Sequence, residues 1–157
     1  MSGNAAFTVP KDRLSVSVRL ENGVTLNGEI FLEYFSDTVS LHQKVTAFLE
    51  NDNAFFPIKV GSGDTEFVNK THVRYVEINF PDDPDANYFS FRPMQTIPVN
   101  AQFGDGDTVK GELVAEVPAE KARLSDCLNL QNKFLSVKTA DKMCYINRDT
   151  LQKVIHA

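Results

Sequence analysis

The chain has 157 residues, 42% of them hydrophobic, with 12 Phe, 8 Gly, 7 Pro and 2 Cys. This composition excludes a wholly disordered, collagen-like or disulfide-scaffolded chain: there is ample apolar surface to bury and too little Gly, Pro or Cys for the others. A net charge of −5, from 16 basic and 21 acidic side chains, works against a wholesale nucleic-acid or anionic-membrane surface, which needs a positive field.

Met1–Ala6 lack a cationic start followed by an apolar stretch, so no secretory leader is expected. No apolar run reaches the ~20 residues that span a bilayer. The expectation is a cytoplasmic protein without membrane contact, in which Cys127 and Cys144 are small buried thiols. Leu14–Leu20 alternates apolar and polar residues and predicts a half-buried strand. Asn22-Gly23 predicts a hairpin turn, since both residues tolerate positive φ. The next strand runs from Val24 to Tyr34, and Gly28 interrupts its inward face, which predicts a bulge or sharp bend. Leu41, Val45, Phe48 and Leu49 fall at helical spacing, with His42 on the polar side. A third strand covers Phe56–Val60, with Pro57 at an edge or strand start. A fourth enters at Phe67-Val68, Asn69 opens a tight turn, and the chain resumes as a strand over Val73–Ile78.

The same series then recurs. Asn22–Ile30 aligns with Asp105–Leu113, with Gly28 on Gly111 and Glu29 on Glu112. Val45–Glu50 matches Leu124–Asn129, Asn53 and Phe55 match Asn132 and Phe134, and Phe67–Val73 matches Tyr145–Leu151, ending with Val76 on Val154. Four blocks in the same order indicate an internal duplication. The predicted domains are residues 1–80 and 94–157, joined by an acidic, proline-bearing linker at 81–93. A unit of four or five short strands and one short helix has too little area for an open sheet, so closure into a small barrel is predicted. The predicted fold is mainly β: two tandem SH3/Sm-like small β-barrels, each with one short helix.

Val18-Arg19-Leu20-Glu21-Asn22-Gly23, followed by Gly28-Glu29-Ile30, resembles the first signature of the Sm-like small barrels. Phe67–Val76 is similar to their second signature. The RNA-reading elements of that group are replaced. Tyr34 and Val117 stand where its Asp-x-x-x-Asn element would begin, and Asn69-Lys70 and Asn147-Arg148 stand in place of its Arg-Gly pair. Arg123–Asn129, Phe134-Leu135 and Ile146–Asp149 resemble a group of uncharacterised bacterial domains of Arg-Leu-Ser-Asp-x-Leu-Asn type. The resemblance implies a small-barrel fold and a bacterial origin, and it brings no activity with it.

Chemistry is sparse in the sequence. His42, His72 and His156 have no His or Cys partner at metal-ligand spacing, so neither metal nor cofactor is expected. Asp105 and Asp107 read as a hairpin turn rather than a calcium loop, because their repeat partners are Asn22 and Val24. Glu29 and Glu112 should point outward by alternation. No nucleophile elbow, Ser-His-Asp set or phosphate-cradling loop is present, so no enzyme is expected. Tyr88, Phe89, Phe91 and Arg92 form an aromatic cluster that either packs between the barrels or binds a protein partner. The leading expectation is a non-enzymatic binding or regulatory module that engages another protein. The alternative is an Sm-like RNA binder whose phosphate contacts are Lys70, Arg74, Arg148 and Lys153. A small enzyme ranks third. Exposed edge strands would also permit a homo-oligomer.

Overall fold

The computed structural model describes residues 11–33, 39–80, 88, 95–115 and 123–157. Strand β1 (Lys11–Leu20) pairs with β2 (Thr25–Glu33) across the Asn22-Gly23 turn. There Gly23 holds φ near 89° and the Asn22 side chain accepts the Val24 amide. Helix α1 (Leu41–Glu50) starts at a capping box in which Ser40 and Gln43 satisfy each other's backbone amides. The chain continues through β3 (Phe55–Val60), β4 (Thr65–Asn69), a 3-10 turn at Lys70–His72 and β5 (Val73–Asn79).

A second run follows in the same order. It comprises β6 (Gln95–Phe103), β7 (Thr108–Ala115), α2 (Leu124–Leu128), β8 (Phe134–Lys138), β9 (Lys142–Asn147), a 3-10 turn at Arg148–Thr150 and β10 (Leu151–His156). The registers correspond. Val16 opposes Gly28 as Val99 opposes Gly111, and Phe56 opposes Val68 as Leu135 opposes Ile146. The β1–β5 ladder shifts register at Arg19/Leu20, and the β10–β6 ladder shifts at Leu151/Lys153.

The fold is mainly β, as expected, but its strands form one antiparallel sheet in the order β10-β6-β7-β8-β9-β5-β1-β2-β3-β4. The sheet is not closed: among the described residues, β4 and β10 are its two ends. Hydrogen bonding that closure would have supplied within each half runs instead between halves, where β5 pairs with β9 through Tyr75↔Ile146 and Val76↔Tyr145.

Two apolar cores lie on the sheet. The first gathers Val18, Ile30, Leu49 and Val76, and it also takes Val114, Phe134, Met143 and Tyr145 from the second run. The second gathers Val99, Phe103, Leu113, Cys144 and Ile146. Strand β9 therefore alternates Met143 and Tyr145 into one core with Cys144 and Ile146 into the other, as the two-residue period of a strand requires. Burying a side chain of this size contributes about 1.5–3 kcal/mol.

The reason for the repeated glycine differs from the predicted bulge. The β1–β2 register runs unbroken past Gly28. A Cβ at Gly28 would instead lie closer than 3.0 Å to the Lys59 carbonyl oxygen, and one at Gly111 equally close to that of Lys138. Each glycine lets the following strand's backbone cross close over β2 or β7.

Candidate functional site

Because Val16, Val18, Val76 and Ile78 face the first core, Ser15, Ser17 and Glu77 face the opposite side of the sheet. They line an open groove of about 660 Å³ together with Glu29, Lys59 and Lys142. Lys59 lies directly across from Glu29 in the β2–β3 ladder, and Lys142 Nζ stands 3.9 Å from Glu77 Oε2. All four side chains are half-buried, and a single ion pair this long and this accessible contributes about 0–1 kcal/mol. Gly61 and Gly63 flank the groove without side chains to obstruct it. Two carboxylates balance two ammonium groups here, which suits a polar ligand with charges of both signs rather than a polyanion.

The residues expected to act are placed differently from one another. Tyr88 is buried, with its hydroxyl 2.8 Å from that of Tyr145 and its carbonyl accepting the His42 amide. Burial pushes its phenol up to about 12, against the opposing effect of the Tyr145 hydrogen bond. Phe89, Phe91 and Arg92 lie outside the described residues, as does the rest of the linker. His42, expected on the polar side of its helix, is instead fully buried. Its Nδ1 sits 2.9 Å from the Tyr145 hydroxyl and its ring stacks on that phenol at 5.7 Å. Only the arrival of β9 over α1 supplies that partner.

Of the four candidate phosphate contacts, Lys70 and Arg74 are each only 6% exposed. Lys70 Nζ donates to the Phe48 and Asn51 carbonyls and to Asn51 Oδ1, closing the C-terminus of α1. Burial, helped by Lys133, lowers its ammonium pKa. Arg74 Nη1 bonds Asp105 at 2.9 Å and Asp107 at 3.2 Å, and its guanidinium lies 4.8 Å over the Phe103 ring. Burial acts to lower its pKa, and the two aspartates outweigh that and raise it. In return, the Asp107 amide and then Arg74 hold the Asp105 carboxyl below its ordinary value. The Asp105–Asp107 turn is thus both a hairpin, with Gly106 at φ near 91°, and a latch between the halves. Arg148 donates to the Leu128 carbonyl at the end of α2, and Lys153 is exposed on β10. Lys70, Arg74 and Arg148 are thus each held by partners within the chain.

Two contacts across the joint escaped the sequence reading. Asn147 Nδ2 donates to the carbonyls of Lys70 and Val73, while its Oδ1 accepts the Asp149 amide. The recurrence of Asn69 and Asn147 in the two runs marks the position, but the turn it predicts does not name the carbonyls of the other half. Both Glu50 carboxylate oxygens accept amides at the start of β8, from Lys133 and Phe134. Nothing local in the sequence marks Glu50.

Cys127 and Cys144 are buried and unpaired with each other, and burial raises both thiol pKa values. Among the described residues no group of three or more His, Cys, Asp or Glu is positioned to hold a metal ion. No helix among them is long and apolar enough to cross a membrane. No family model, curated protein or solved structure matches the chain.

Proposed function

We propose that the chain is a non-enzymatic binding module, built from two copies of one small-barrel-type unit, that holds an extended segment of a partner protein. The observation that carries this reading is the groove over β1, β2, β3 and β5. It is open along the sheet, and its walls offer hydroxyls, amides and charges of both signs. That pattern matches a polypeptide backbone with mixed side chains. Among the described residues, none of the groups with shifted pKa values (Lys70, Arg74, Tyr75, Tyr88, Asp105, Cys127 and Cys144) lines this groove. RNA binding ranks second, because Lys70 and Arg74 already serve internal partners.

A displayed library of random peptides, panned against the full chain, tests the reading. Selected peptides should bind the wild type and lose at least tenfold in affinity to Ser15→Arg, which fills the groove from an exposed position. Peptides that bind both proteins equally, or a library that yields no binder, would overturn it. Tight, salt-sensitive binding of poly-uridine would favour the second reading.

A further inference from the structure

The paired strands of the β3–β4 and β8–β9 hairpins correspond in register, with a turn one residue shorter in the second, yet their outer faces meet opposite fates. Phe134 is 5% and Tyr145 0% exposed, whereas their counterparts Phe55 and Phe67 are 53% and 69% exposed. The difference comes from what covers them. The first half lays α1 and β5 over the β8–β9 hairpin. The inner side chains of β3–β4, Phe56, Ile58 and Val68, pack in the first core, but among the described residues nothing buries Phe55 and Phe67 on the outer face. The region around Val114, Phe134 and Ser136 retains a cavity of only about 20 Å³. The matching region around Phe31, Phe55 and Pro57 is an empty groove of about 280 Å³. At the other end of the sheet, β10 corresponds to β5 but is largely exposed, with Ile155 43% accessible.

We infer that a second copy of this chain docks here, β10 of one copy pairing antiparallel with β4 of the next, so that the β5–β9 joint within the chain is repeated between chains. Transferring the internal register by the repeat spacing (Asn69 to Asn147) sets Val154 opposite Phe67, as Val76 opposes Tyr145, and Ile155 opposite Glu66. The side chains agree with this. The Tyr145 hydroxyl needs hydrogen-bond partners where it is buried and finds them in His42 Nδ1 and the Tyr88 hydroxyl. Phe67, at the equivalent place, needs none. Arg74 meets Asp105 and Asp107 in the internal joint, and the corresponding positions, Gln152 against Asn22 and Val24, leave no lone charge. Asn69, like Asn147, can donate its amide to the carbonyls of the facing turn. Each copy offers one edge of each kind, so the contact is head-to-tail and extends to a ring or a filament according to the rotation it imposes.

Sedimentation of the full chain tests this. The wild type should run as a multiple of 17.6 kDa. Phe67→Glu, which blocks the β4 edge, and Ile155→Glu, which faces Glu66 with a like charge, should each weaken association roughly thirtyfold or more. Both positions are exposed, and an unchanged circular dichroism spectrum checks that each variant folds. Mixed in equal amounts, the two variants should form a dimer and nothing larger, because one intact β10 then meets one intact β4. Amide hydrogen exchange at 65–68 and 153–156 should slow in the wild type and in one partner edge each of the mixture. A wild type that sediments at 17.6 kDa, variants that associate as the wild type does, or a mixture that stays monomeric would each overturn the proposal.

Discussion

Replacing Gly111 by alanine isolates the close crossing of β8 over β7. The new Cβ would lie closer than 3.0 Å to the Lys138 carbonyl oxygen and 2.9 Å from Val137 Cγ1. The obstructing atom is backbone within a strand ladder, not the free end of a side chain, so β8 must retreat or β7 must bend. Overpacking of this kind costs about 1–3 kcal/mol. An unobstructed glycine-to-alanine change would instead gain about 0.4–1 kcal/mol by restricting the unfolded chain. The net is a loss of up to about 2.6 kcal/mol, equivalent to as much as roughly 10 °C in Tm for a chain of this length. Gly28→Ala should behave alike, since its Cβ would meet the Lys59 carbonyl. Gly104→Ala is the control: nothing stands within 4 Å of its Cβ and its φ is not positive, so it should match or exceed the wild type. Thermal unfolding of the three variants decides the matter. If Gly28→Ala and Gly111→Ala melt at or above the wild-type temperature, the close-approach account of the repeated glycine is wrong.

Tyr145→Phe removes the hydroxyl shared by His42 and Tyr88 and should cost about 1–3 kcal/mol, read as a lower urea midpoint at unchanged slope. A midpoint equal to the wild type would show that the buried network contributes nothing. Asp105→Asn tests the latch through pH. The Asp105 carboxyl is depressed in the folded chain below its ordinary 3.8, so its contribution is present above that value and lost as pH falls through the folded one. The wild type should therefore be more stable than the variant at pH 6, and the gap should close in acid below pH ~4; a gap constant with pH would refute the ion-pair account. A chain ending at residue 80 loses Tyr88, Val114, Phe134, Met143 and Tyr145 from the first core. It should unfold at markedly lower denaturant than the full chain, and equal stability would mean that the shared core is not needed.

Much of the fold was legible because it rests on local rules. Alternation in Leu14–Leu20, the Asn22-Gly23 and Asp105-Gly106 turns, and the helical spacing of Leu41, Val45 and Leu49 each act within a few residues, and each element lies where the pattern put it. His42 was misplaced because periodicity records polarity and not partners. A polar side chain can be buried when a distant strand brings it a hydroxyl, and Tyr145 is 103 residues away. Lys70 and Arg74 looked like free cations for the same reason: charge is visible in a sequence, whereas the carbonyls and carboxylates that neutralise it come from other elements. Predicted closure into barrels followed from the small area of each half. It overlooked a second way to satisfy an edge, which is pairing with the neighbouring half.

By itself, then, the sequence determined the strands, turns, helices and their recurrence in the same order, since these follow from side-chain period and backbone preference along the chain. The tertiary structure decided which edges meet. Hydrogen bonding between strands is carried by backbone groups that every residue shares, so the choice of β9 as the partner of β5 left no mark that composition or spacing could show. That choice buries Tyr145 and Phe134 and leaves Phe55 and Phe67 uncovered, although the paired residues are nearly alike in sequence.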